Sequence, residues 1–268
     1  MKPEVAGIAE PGWRSRQMAA LIGYETRRNL LSRRAIGLYV LAALPVAVFA
    51  GLALARSHGF GPLAQGPEAA AEIFAGVFDA LGLRTVIFFG CGWLFIQLVR
   101  GDIANRSLHY YLLAPLSRGA FLAGKYAAGV IVAVSLFGGA TLISLALAGW
   151  PGGGLRAVEY FAIAALGSIA YGALFCSLGV MFANPVLPIL VVYGWEWINF
   201  LLPPLLQRAS ILHYLQALAP LPVAGHSIAF IAPPIAPAEA VAILAVFSVV
   251  LVWASAVRMR RVEINYEE

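Results

Sequence analysis

Charge is scarce in this sequence. Asp, Glu, Lys and Arg make up 12% of its 268 residues, about half the roughly 25% of a soluble domain. Cysteine is scarcer still. Cys91 and Cys176 both sit inside apolar runs, which excludes a disulfide framework and a cysteine metal cage. The four histidines, His58, His109, His213 and His226, lie outside the long apolar runs, and no paired carboxylates occur within them. An intramembrane enzyme would need such a pair, or Ser with His, inside a span. No catalytic residue, metal ligand or bound cofactor is therefore assigned to the chain.

What the sequence has in abundance is apolar length. Hydrophobic residues make up 61% of the chain and the mean hydropathy is +0.84. A helix needs about 20 apolar residues to cross the hydrocarbon core. Six stretches qualify: 35–55, 74–99, 126–150, 158–182, 186–206 and 240–257. They predict an all-α membrane protein with a single membrane domain. Residues 1–34 form a cytoplasmic or interfacial N-terminal segment, 35–257 the six-helix body, and 258–268 a tail. The second stretch contains Asp79 and Arg84, which predicts a bent or interfacial outer half with Gly82 as the break point.

The basic residues are distributed unevenly. Fourteen of the 18 Lys and Arg residues fall in the N-terminal segment, the loop after the second span, or the tail. The positive-inside rule then places both termini in the cytoplasm. This bias accounts for the net charge of +5 without nucleic acid. A cleaved signal peptide is not expected, because the leading polar stretch of about 34 residues and the apolar run of about 20 both exceed the usual lengths. Between Trp13 and Arg34, Met18, Leu21, Ile22, Glu25 and Arg28 fall at helical spacings that separate an apolar from a basic face. This suits a helix lying in the interface.

The loop after the second span contains Gly119-Ala-Phe-Leu-Ala-Gly124-Lys125. A phosphate-binding loop requires Ser or Thr after the Lys, and a strand before it. Here Tyr126 follows and an apolar run begins, so nucleotide binding by this chain is rejected. The segment reads instead as helix, turn and helix. Ile103, Leu108, Tyr111 and Leu112 form a docking face, while Asp102, Asn105, Arg106 and His109 face water. Pro115 ends the first helix and Ser117 caps the second.

These residues carry a resemblance. Gly101-Asp102, Arg106-Ser107-Leu108, Leu112-Leu113, Pro115, Ser117-Arg118 and Gly124-Lys125 resemble, in order, the first cytoplasmic loop of type-2 ABC exporter permeases. Asp stands where that family has Glu, and Ser where it has Gly-Thr. The Arg pairs before the first span, and Trp195-Glu196 with Ser210-Ile211 and His213-Tyr214, are similar to further features of the family. The resemblance implies a permease subunit in a bacterial cytoplasmic membrane. It implies a second permease chain and two copies of a separate ATPase, which would bind the ATP and Mg. The loop would be the coupling helix, with Asp102, Arg106, Ser107, Leu108, Tyr111, Leu112, Leu113, Pro115, Ser117 and Arg118 at the ATPase interface. Residues 209–221 read as a short interfacial helix, and by the resemblance the apolar stretch after the fifth span would form re-entrant or interfacial external helices. The substrate expected is lipid-like or amphipathic.

Glu196 lies within the fifth span, with Asn199 three residues on, on the same helical face. A carboxylate at that depth costs about 2.5–3.5 kcal/mol on insertion scales. It lines a translocation path or dimer seam, or it fixes packing between spans. Ala164, Ser168, Gly172 and Cys176 repeat every four residues on the fourth span. Such a stripe serves close packing within one chain or a dimer seam. The alternatives to the permease are a secondary transporter, which predicts several intramembrane charges, and a non-transporting membrane scaffold.

Overall fold

The computed structural model describes residues 13–33, 35–104, 117–149, 153–219 and 235–260. Every regular element among them is helical. Helix α1 (Trp13–Leu31) is followed by α2 (Ala35–Ser57). Next come α3 (Pro67–Val77), a π-helical segment (Phe78–Ile87) and α4 (Phe88–Ala104), which run on without interruption. Helix α5 (Arg118–Ala133), a second π segment (Val134–Gly138) and α6 (Gly139–Leu147) form another continuous rod. Helix α7 (Gly153–Met181) is the longest single helix. Then follow α8 (Val186–Ile198), two short helices, α9 (Pro204–Gln207) and α10 (Ile211–Ala217), and finally α11 (Pro237–Arg260).

Five of these rods are long and apolar enough to cross a membrane: 35–57, 67–101, 118–147, 153–181 and 237–259. The protein has the character of a multi-pass membrane protein. The fifth expected span differs. Helix α8 has 13 residues, about 20 Å at 1.5 Å per residue, and stops short of a full crossing. Its helix gives way to a 3-10 turn at Asn199–Leu201, and Leu202 is extended. The break therefore comes before the Pro203-Pro204 pair, although those prolines prevent resumption. A residue preceding proline is held away from helical geometry, as Leu202 is.

Helix α2 shows how the packing follows the sequence. Its buried residues are Ala35, Leu38, Ala42, Pro45 and Phe49. These alternate by three and four, one stripe along a helix. Val40, Leu44 and Val48 lie on the exposed side, where lipid would be the solvent. Phe49 continues into an aromatic cluster with Phe74, Phe78 and Tyr160, at centroid distances of 4.8–6.0 Å.

Glycine sets the approach of the central helices. A Cβ on Gly172 of α7 would lie 2.5 Å from the Phe95 ring, and one on Gly129 of α5 would lie 2.7 Å from it. Phe95 of α4 is completely buried between them. Ala164, Ser168 and Cys176 of the small-residue stripe are at most 2% exposed. Their neighbours are on α4, where the Cys91 thiol donates to the Ser168 carbonyl. The stripe thus packs within the chain and is not open as a seam.

Candidate functional site

Two buried polar clusters tie the bundle together, one at each end. The first joins α1 to α5. Lys125 lies 3.1 Å from the Glu25 carboxylate and donates to the Leu98 carbonyl at 3.0 Å. Arg28 lies 3.5 Å from Glu25, one turn along α1. Gly124 lets the helices meet, since a Cβ there would stand 2.8 Å from Leu21 and Met18 of α1. The Gly-Lys pair that imitates a phosphate loop is therefore a helix-docking device. Helix α1 is indeed amphipathic, but it buries a carboxylate at its centre (Glu25, 1% exposed).

Just before α5 sits Ser117. It has extended backbone angles, and its side chain accepts from the Ala120 N–H at 3.2 Å. That satisfies one of the free amides of the first turn, as the sequence predicts. Arg118 is the first residue of the helix. Asp102 lies near the end of α4. Arg106, Ser107, Leu108, Tyr111, Leu112, Leu113 and Pro115 lie outside the described residues. His226 lies outside them too.

The second cluster surrounds α10. Glu196, in the last turn of α8, is 4% exposed. Its carboxylate accepts from the Ser210 hydroxyl, from the Ile211 N–H at 3.1 Å and from the Leu212 N–H at 3.2 Å. These amides open α10 and have no partner within that helix. The Ser210 oxygen also accepts from the His213 N–H at 3.3 Å. Glu196 and Ser210 together satisfy the helix start.

The other end of α10 is held as well. Gln216 donates to Asp79 Oδ1 at 2.7 Å. Asp79 Oδ2 lies 3.1 Å from Arg84 Nε, and a second Arg84 nitrogen donates to the Glu196 carbonyl at 3.3 Å. The Arg84 guanidinium also sits 5.7 Å from the Trp197 ring, within cation–π range. The links run from Glu196 through Arg84 and Asp79 to Gln216, so both ends of α10 are tied to one network.

Sequence reading missed the Asp79–Arg84 pair and predicted a break at Gly82. Asp79 and Arg84 are instead 6% and 9% exposed, and the helix continues through Gly82. The reason is the π-helical winding of Phe78–Ile87. An i→i+5 repeat brings residues five apart onto one face, which an ordinary helix does not. Ser210 and Gln216 were missed for a different reason: their partners lie 14 and 137 residues away.

Asn199 is buried beside Glu196, but it belongs to the 3-10 turn after α8. Its side-chain oxygen has no hydrogen-bond partner among the described residues. The expected short helix exists over Ile211–Ala217 and packs into the bundle. Leu212 and Leu215 are fully buried, and Leu215 packs against Gly167 of α7. No group of three His, Cys, Asp or Glu side chains that could hold a metal occurs among the described residues. The chemistry available here is electrostatic and mechanical: charged groups that hold a short helix inside a bundle. No protein-family model matches the chain, and no curated protein matches it.

Proposed function

We propose that the chain is the membrane-spanning permease subunit of an ATP-driven ABC transporter of the type-2 exporter kind. It would sit in a bacterial cytoplasmic membrane with both termini on the cytoplasmic side. A second permease chain and two copies of a separate ATPase would complete the transporter. The substrate class would be lipid-like or amphipathic.

The observation that carries this reading is the stiff connection behind the coupling segment. The resembling stretch leads into the Ser117 cap and directly into α5. The first turns of α5 are fixed to α1 by the Glu25–Lys125 pair. A push on the coupling segment would therefore move α1 and α5 as one body, as a transmitting element requires. At the far end, α10 is the kind of short buried segment that could open when the helices around it shift.

The test is ATP turnover. The purified chain alone should show none, and a complex with the cognate ATPase should hydrolyse ATP at a rate that responds to substrate. Hydrolysis by the chain alone, surviving removal of contaminants, would overturn the reading. The buried charges Asp79, Arg84 and Glu196 favour a second reading, a secondary transporter, because such proteins place ionisable groups inside the bundle. Transport driven by an ion gradient in vesicles without ATP would decide for it.

A further inference from the structure

Beside α4, facing α2 and α8, runs a groove of about 870 Å³. Its walls are apolar, with Phe89, Trp93 and Ile96 of α4 opposite Leu41 and Ile189. Trp93 is 51% exposed there, an unusual position for so large an apolar side chain unless lipid covers it. One end of the groove is different. Arg100 and Gly101 close it, beside Gln97.

Arg100 is half-buried, and its guanidinium donates to the Phe182 carbonyl. Its Nε is buried without a hydrogen-bond partner, and no carboxylate pairs with it among the described residues. A partly exposed guanidinium with free donor capacity at the end of an apolar groove is complementary to an anion. Next to the groove, and sharing Leu38, Trp93 and Gln97 with it, lies a polar cavity of about 230 Å³. Arg28, Arg33 and Lys125 line that cavity against one carboxylate, Glu25. Among the residues that line this cavity, positive charge is in excess.

The dimensions identify the occupant. From Phe89 to Gly101 the groove extends about 18 Å along the helix, at 1.5 Å per residue. One leaflet of the hydrocarbon core is about 15 Å deep, half of roughly 30 Å. An apolar slot one leaflet deep, with a cation at its aqueous end, is complementary to an anionic phospholipid. We propose that this groove binds one anionic phospholipid, with its phosphate against Arg100 and its acyl chain along Trp93 and Phe89. The inference goes beyond the permease reading and does not depend on it.

The test uses the purified full chain in detergent, with no ATPase present, so its failure leaves the permease reading untouched. Phosphatidylglycerol or phosphatidylcholine with brominated acyl chains is titrated in, and bromine quenches nearby tryptophan. The Trp93 contribution is the difference between the native chain and Trp93→Phe. Phosphatidylglycerol should reach half-saturation at about five-fold lower concentration than phosphatidylcholine, the effect of one basic residue near an anionic lipid. Arg100→Gln should abolish that preference and Arg100→Lys should keep it, which separates lost charge from lost folding. Quenching that does not involve Trp93, equal quenching by both lipids, or a preference that survives Arg100→Gln would overturn the proposal. So would a Trp93 shielded from lipid because a second copy of the chain covers the groove.

Discussion

The Lys125 ammonium lies 3.1 Å from the Glu25 carboxylate, and both side chains are at most 3% exposed. Burying two charges costs several kcal/mol per ion, which only close pairing and further hydrogen bonds offset. The Leu98 carbonyl supplies one such bond. The pair is best understood as a register device. It fixes where α1 docks along α5, which apolar contact alone would leave free to slide.

Removing one partner should therefore hurt more than removing both. Lys125→Met leaves the buried Glu25 with Arg28 at 3.5 Å as its remaining charge partner, a loss of at most about 3–5 kcal/mol. Lys125→Met combined with Glu25→Leu should recover most of that loss in thermal unfolding. The double variant should nevertheless lose docking precision, seen as faster protease cleavage within α1. Equal destabilisation by the single and double variants would show that the pair does not organise this contact.

A second prediction concerns the central packing. Gly172→Val places a branched side chain where a Cβ alone would stand 2.5 Å from the Phe95 ring. Overpacking of this kind costs about 1–3 kcal/mol, while replacing a helical Gly by a residue with a side chain regains less than about 1 kcal/mol. The clash should win. Unfolding temperature should fall, and Phe95→Leu in the same chain should restore part of it. A neutral Gly172→Val would mean that α4 and α7 can separate freely.

The long apolar rods were legible because twenty apolar residues admit few other structures. Ser117 was legible as a helix start because capping is local chemistry. The failures lie where geometry leaves the ordinary helix or where partners are remote. A spacing of five residues carries no meaning in an α-helix, so Asp79 and Arg84 read as an interfacial break. They are an ion pair only because the winding between them is π-helical. The fifth long run, 186–206, is apolar apart from Glu196 and Asn199, yet α8 ends at Ile198. Hydropathy has no means of marking that stop. The helix stops two residues past Glu196, whose carboxylate is committed to the start of α10. Lys125 likewise read as part of a false nucleotide loop, since Glu25 is a hundred residues away.

The segment proposed to contact an ATPase gives a third prediction, which bears on the permease proposal. Replacing Leu112 and Leu113 together by Asp would put two charges into an apolar docking cleft on the ATPase. Assembly with the ATPase should weaken by at least about tenfold, about 1.4 kcal/mol, which the burial of two unpaired charges exceeds. Pull-down of the complex and coupled ATP turnover measure it. Assembly and turnover unchanged from the native chain would place the docking surface elsewhere.

The last prediction separates the roles of Glu196. Its carboxylate accepts from the Ser210 hydroxyl and from the Ile211 and Leu212 amides. Glu196→Leu would leave those buried donors without acceptors, at about 1–3 kcal/mol for each unsatisfied group. Helix α10 should then come loose from α8, and its amides should exchange with solvent faster, as hydrogen exchange would report. Glu196→Gln keeps one acceptor oxygen and the shape of the side chain, so it should hold α10 at a smaller loss of stability. If Glu196 serves only to seat the helix, transport should follow stability, with Gln near native and Leu impaired. If its charge takes part in the transport cycle, both variants should abolish transport while the Gln variant remains folded. Substrate efflux measured beside hydrogen exchange distinguishes the two outcomes. Native efflux and native exchange in the Leu variant would show that the carboxylate holds nothing, and that α10 is kept in place by Leu212, Leu215 and the Gln216–Asp79 bond.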